Sequence, residues 1–95
     1  MNEVRERIMN DVINSRLCVW DYETPSLQLH GAWEKPEELQ GSIEDTKLIL
    51  DGREYRGLMI DFDQVTEANV ENDGTERAWT IVFKDGGKLY LLADN

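Results

Sequence analysis

Cysteine and histidine each occur once in this 95-residue chain, as Cys18 and His30, and proline only twice. One thiol excludes an intramolecular disulfide framework and fits a reducing compartment. A lone Cys and a lone His also exclude the zinc spacings built from these residues. No apolar run approaches the roughly 20 residues that a bilayer-spanning helix needs. The start, Met1 to Arg7, mixes acids and bases where a secretory signal would carry an apolar stretch. The expectation is a cytoplasmic protein without a membrane partner. A phosphate-cradling glycine loop and a nucleotide fingerprint are both missing, so no cofactor is implied.

Basic residues are scarce as well. Ten Lys and Arg stand against twenty Asp and Glu, giving a net charge of −10 and a pI near 4.4. A field of that sign repels nucleic acid and anionic lipid and attracts basic surfaces. Direct nucleic-acid binding is therefore not expected, whereas a basic protein partner is. The same acidity also serves simple solubility. From Met1 to Trp20 the charges balance, so the excess of acids falls in the rest of the chain.

What the chain does contain is a helix followed by strand signals. Over residues 2–14, Val4, Ile8 and Val12 recur every fourth position, with Met9 and Ile13 widening the stripe. Glu3 and Arg7 are spaced for an ion pair on the wet side. That apolar face packs on a sheet or, alternatively, makes a homodimer contact. Residues 16–33 read as a first hairpin broken at Pro25, with Leu27 and Leu29 inward and Gln28 and His30 outward. Residues 34–46 read as an irregular connection, with one helical turn opened by Pro36. Residues 47–93 form a β-meander punctuated by Asp51-Gly52, Asn72-Asp73-Gly74 and Asp85-Gly86-Gly87. In it, a two-residue turn at Asp51-Gly52 joins 47–50 to 53–56. The fold expected is a single α+β domain over 1–95, an N-terminal amphipathic helix packed on one curled antiparallel sheet of six or seven strands, a β-roll or half-barrel.

The order Ile60-Asp61-Phe62-Asp63-Gln64-Val65, then Trp79-Thr80-Ile81-Val82-Phe83, then Lys88-Leu89-Tyr90-Leu91-Leu92 resembles the strand meander of PH- and GRAM-type domains over about half the chain. The resemblance implies a roll. It does not extend to a lipid site, because Lys47, Arg53 and Arg56 alternate with Asp51 and Glu54. In size and charge the chain is similar to phage-encoded anti-CRISPR inhibitors and to toxin-immunity proteins.

Three constellations bear on chemistry. Cys18 and His30 would make a thiolate–imidazole pair if their strands brought them together, but no third orienting residue accompanies them, and a strand cysteine commonly serves as a small apolar residue. Asp61 and Asp63, on one face of a strand, could hold a divalent cation, although the calcium-loop pattern is missing. The acids Asp61, Asp63, Glu67, Glu71, Asp73 and Glu76, with Glu37 and Glu38 in a second group, form a ribbon suited to a basic groove. Edge protection explains single acids on an edge strand equally well. Tyr22 and Trp33 are the aromatic anchors such an interface would use, while Trp20 serves either a surface or the core. Trp79 and Phe83 belong to the core.

The reading is a non-catalytic binding protein, without metal or cofactor, that inhibits a nucleic-acid-binding or nuclease partner by occupying its basic surface. A small-molecule or head-group binding module and a homo-oligomeric structural protein are the alternatives.

Overall fold

A computed structural model describes residues 2–34, 39–52 and 57–94. Helix α1 spans Asn2–Ile13 and buries the stripe that its spacing predicts. Ile8 and Val12 are fully enclosed, and Val4 and Met9 pack on the same core. Ser15 ends the helix by donating its hydroxyl to the Val12 carbonyl at 2.7 Å. Arg7 does not pair with Glu3. Its guanidinium lies over the Trp79 ring, 5.4 Å from the centroid, where the indole face offers a desolvated partner.

Among the described residues, eight strands follow: β1 (Leu17–Thr24), β2 (Leu27–Trp33), β3 (Leu39–Glu44), β4 (Lys47–Gly52), β5 (Leu58–Asp61), β6 (Val65–Asn72), β7 (Glu76–Phe83) and β8 (Lys88–Asp94). They form two antiparallel sheets, ordered β2-β1-β8-β7-β6 and β3-β4-β5. The expectation of one curled sheet of six or seven strands is thus corrected in both count and layering.

The miscount has a local cause. Leu39, Gly41 and Ile43 face one way in β3, but the middle position is glycine, which hides the alternation. Glycine is needed there because a Cβ at Gly41 would collide with the Met9 side chain of α1. The segment read as irregular is therefore, from Leu39 onward, the strand under the helix. The one-turn helix opened by Pro36 falls mostly on residues 35–38, outside the described residues, and Leu39 and Gln40 belong to the strand.

Asp51-Gly52 is not a turn. Both residues continue β4, opposite Gln40 and Leu39. The next strand of that sheet is β5, with Leu50 opposite Leu58 and Lys47 opposite Asp61. Residues 53–56, expected as the return strand, lie outside the described residues. Gly57 leads into β5 at a place where a Cβ would run into the Leu50 carbonyl.

The remaining turns follow the sequence. Gly74 and Gly86 adopt φ of +94° and +90°. Asn72 accepts from the Gly74 N–H, and Asp73 accepts from the N–H groups of Thr75 and Glu76, each at 2.9 Å. The first hairpin forms as expected, with Cys18 opposite Trp33 and Thr24 opposite Leu27. β1 also pairs with β8, Trp20 against Leu91, which closes the larger sheet across most of the chain length.

The core lies between the sheets and under α1. Ile8 and Val12 come from the helix, Leu48, Leu50 and Ile60 from the smaller sheet, and Cys18, Trp33, Trp79, Ile81, Leu89 and Leu91 from the larger one. Asp11 ties α1 to β7. One carboxylate oxygen lies 2.9 Å from the Arg77 Nε, and the other accepts from the Trp79 indole N–H at 2.6 Å. Among the described residues, no helix is long and apolar enough to cross a membrane.

Candidate functional site

The sheets do not close on each other along their whole length. Where β5 faces the β1–β2 hairpin they leave an open cleft of about 350 Å³. Trp20 and Tyr22 of β1, Leu29 of β2, Phe83 at the end of β7 and Leu89 of β8 form one wall. Leu58, Met59 and Ile60 of β5 form the other, and Gln64 and Asp85 supply polar atoms.

Each wall follows from strand periodicity. On the larger sheet, Trp20 and Tyr22 stand two apart on one strand face, opposite Leu91 and Leu89. Tyr22 meets Phe83 edge-on, with centroids 6.1 Å apart and planes at 68°, a favoured aromatic geometry that fixes both rings. The Trp20 indole lies over Gly31, its cross-strand neighbour, where a Cβ would come within 2.7 Å of ring atoms. Backbone approach at Gly87 is equally close, with a Cβ there falling 2.7 Å from the Tyr22 hydroxyl oxygen. Asp85 accepts from the Gly87 N–H at 2.8 Å and holds that turn.

Exposure within the cleft is high for such apolar side chains. Leu29 is 48% and Met59 62% exposed, and Leu27 beside them is 52% exposed. Leu27 and Leu29 were expected inward. They do face the core side of β2, on the same face as Trp33, yet both stay exposed among the described residues.

Among the described residues, no group of His, Cys, Asp and Glu is placed to hold a metal ion. Cys18 is fully buried, and desolvation pushes its thiol up to about 12, so it stays protonated and unreactive. His30 is not beside it. Cys18 stands opposite Trp33 and His30 opposite Asp21, three positions along the hairpin and on the other face.

The predicted acids divide by use. Asp61 is not one of two carboxylates on a strand face. It ends β5 and caps the 3-10 turn of Phe62–Gln64, accepting from the Thr46 hydroxyl at 2.8 Å and the Asp63 N–H at 3.0 Å. These bonds, the Thr46 one foremost, hold its pKa below the ordinary value. Asp73 is likewise lowered by the backbone N–H groups of Glu76 and Thr75. Asp63 is exposed in the turn. Glu67 and Glu71 are exposed on β6, which is an edge strand as the ribbon reading required. The Glu67 carboxylate accepts from the Asn69 amide at 2.9 Å. Glu71, Asp73 and Glu76 surround a polar depression at the far end of the larger sheet, away from the cleft. Glu37 and Glu38 lie outside the described residues.

Of the aromatic anchors, Tyr22 is half-buried and lines the cleft. Trp33 is only 3% exposed and packs in the core, which removes it as a surface anchor. Phe83, expected in the core, sits at the core's edge and forms part of the cleft wall. Sequence reasoning missed the opposing wall at Leu58 and Met59. Their apolar character was legible, but the gap they face arises from a non-local stacking of two sheets.

No protein-family model matches this chain, and no curated protein matches it. Among solved structures the fold is similar to the crystal structure of ChuX, with a TM-score of 0.60 and 14% sequence identity over 93% of this chain. The likeness covers 57% of the ChuX chain, so this chain spans little more than half of that protein. At this identity the likeness is one of fold.

Proposed function

We propose that this domain binds a small, largely apolar molecule with an aromatic portion in the cleft between its sheets. The observation that carries the reading is the facing of Trp20, Tyr22 and Phe83 with Leu58 and Met59 across an open gap, with Gln64 and Asp85 as the polar contacts. Mostly apolar concave sites with a few convergent polar groups are where small ligands bind. Binding there would cover apolar surface that is otherwise wet. In this reading the domain acts as a carrier or sensor of the bound molecule.

The test is titration with N-phenyl-1-naphthylamine, a neutral fluorescent probe. Probe emission should rise on binding while tryptophan emission is quenched, and the quench should shrink in Trp20→Phe. Leu58→Asp, which places a charge in the wall, should abolish binding while circular dichroism shows a folded protein, since Leu58 packs at the edge of the core and not within it. No binding by the folded protein, or binding unchanged by Leu58→Asp, would overturn the proposal.

A second reading keeps the acids. Glu71 on β6, Glu76 on β7 and Asp73 in the turn between them cluster at one end of the larger sheet, and Glu67 extends the acids along the β6 edge. The cluster suits a basic protein surface, such as that of a cytoplasmic nuclease or nucleic-acid-binding protein inhibited in the anti-CRISPR or immunity manner. Asp61 and Asp73 are bound to their own turns, so the exposed Glu67 and Glu71 carry this reading. A partner retained at low salt and lost in Glu67→Lys/Glu71→Lys supports it.

A further inference from the structure

Among the described residues, four strands lie at sheet edges, and three of them are guarded. β6 carries Glu67 and Glu71 and a register shift between Val65 and Glu67. β5 is four residues long and ends in Asp61. β3 packs against α1 and ends in Glu44. Charges, bulges, short length and cover are the devices by which edges avoid pairing. Among the described residues, β2 has none of them. Its sequence, Leu27-Gln28-Leu29-His30-Gly31-Ala32-Trp33, contains no Asp, Glu, Lys, Arg or Pro, and its register with β1 is unbroken over seven pairs. Leu27 to His30 are all exposed.

We propose that β2 pairs antiparallel with β2 of a second copy of this chain, joining the two larger sheets into one. The inference stands on the edge strand and not on the ligand reading. The choice of partner rests on charge and self-complementarity. In a chain of net charge −10, β2 is a neutral strip, so it is the edge on which two copies meet with least repulsion. A two-fold axis perpendicular to the sheet places residues of the same face opposite one another. With the axis at Leu29, Leu29 meets Leu29, Leu27 meets Gly31, and Gln28 meets His30. Apolar side chains then align on the cleft side, and an amide and an imidazole on the other. An axis at His30 would set two imidazoles face to face and draw Trp33, which is buried at 3% exposure, into the contact. An axis at Gln28 would overlap only the first three residues. The Leu29 register covers two leucines that are 52% and 48% exposed in the single chain. It also brings Leu29 of the second copy to the rim of the cleft, so each copy completes the other's apolar wall.

The geometry fixes a sharp test. Directly opposed residues in an antiparallel pair have Cα atoms about 4.5–5.5 Å apart, within the span of a disulfide. Leu29→Cys should therefore form a disulfide-linked dimer on mild oxidation. Leu27→Cys should not, because its copy lies four residues further along the pair. Buried Cys18 stays inert in both. Sedimentation equilibrium of the unmodified chain should give a dimer, and Leu29→Lys should give a folded monomer by circular dichroism. A monomer for the unmodified chain at every concentration would overturn the proposal. So would a dimer that survives Leu29→Lys, or cross-linking by Leu27→Cys in preference to Leu29→Cys.

Discussion

Gly31 shows how one missing side chain shapes the candidate site. The Trp20 indole occupies the space that a Cβ would need, so Gly31→Ala must push the ring out of its place in the cleft wall. Overpacking of this kind costs about 1–3 kcal/mol. The expected result is a lower melting temperature together with a changed tryptophan emission, a change that should vanish in the Trp20→Phe background. Asp61 and Asp73 act through protonation. Both have folded-state pKa values below the ordinary 3.8, because hydrogen bonds from Thr46 and from the Glu76 N–H, respectively, favour the charged form. A depressed carboxylate contributes stability that is present above its unfolded value and is lost as pH falls through the folded one. Melting temperature should therefore drop as pH is lowered below about 3.8. Asp61→Asn/Asp73→Asn, which keeps acceptor oxygens but cannot titrate, should show a shallower fall. An equal slope in the double variant would contradict the assignment.

Polar groups tie the helix to the larger sheet beside the apolar contacts of Ile8 and Val12. Asp11 receives the Trp79 indole N–H and the Arg77 guanidinium, and Arg7 covers the same indole. Its side chain is only 21% exposed, and that of Arg77 15%, so the pair is shielded from solvent. Asp11→Ala should cost about 1–3 kcal/mol, because it leaves the buried Trp79 indole N–H without its acceptor and removes the carboxylate facing Arg77, whose Nη2 still donates to the Asp11 carbonyl. Unfolding in urea measures this directly. A loss below about 1 kcal/mol would show that helix and sheet are held by Ile8 and Val12 alone. On the other sheet the contact is steric. Gly41 lets α1 approach β3 closely enough for Met9 and Ile13 to lie over the strand. One element thus uses a hydrogen-bonded carboxylate towards β7 and a missing Cβ towards β3.

Charge acts over the whole molecule. With a net charge of −10 in a body of about 31 × 27 × 26 Å, most acids lie within a few Debye lengths of one another. Self-repulsion lowers stability at low ionic strength, so moderate salt should raise the melting temperature. A melting temperature independent of salt would mean that local pairing already offsets the repulsion. The two sheets meet along the core and part at the cleft, between the β1–β2 hairpin and β5. The apolar surface left wet there is what the ligand and edge-pairing proposals both use.

Period and turn chemistry were enough to place α1, the first hairpin, β6, β7 and β8. These elements are specified by neighbours in sequence: a four-residue stripe, alternation, and Gly74 and Gly86 at positive φ. The acidic field and the inertness to be expected of a lone strand cysteine were equally legible. The division into two sheets was not, because β3 carries glycine at an inward position and β4 runs through an Asp-Gly pair that reads as a turn. Local propensity yields where a helix packs close or a partner strand continues the ladder. Trp33 and Leu29 carry the same lesson. Both are apolar residues on the same strand face, yet one is sealed in the core and the other lies open, since burial depends on what stands across the gap. Which residues alternate, turn and carry charge follows from the order of the amino acids alone. Only tertiary packing decided which apolar face is covered, and so where the cleft and the open edge lie.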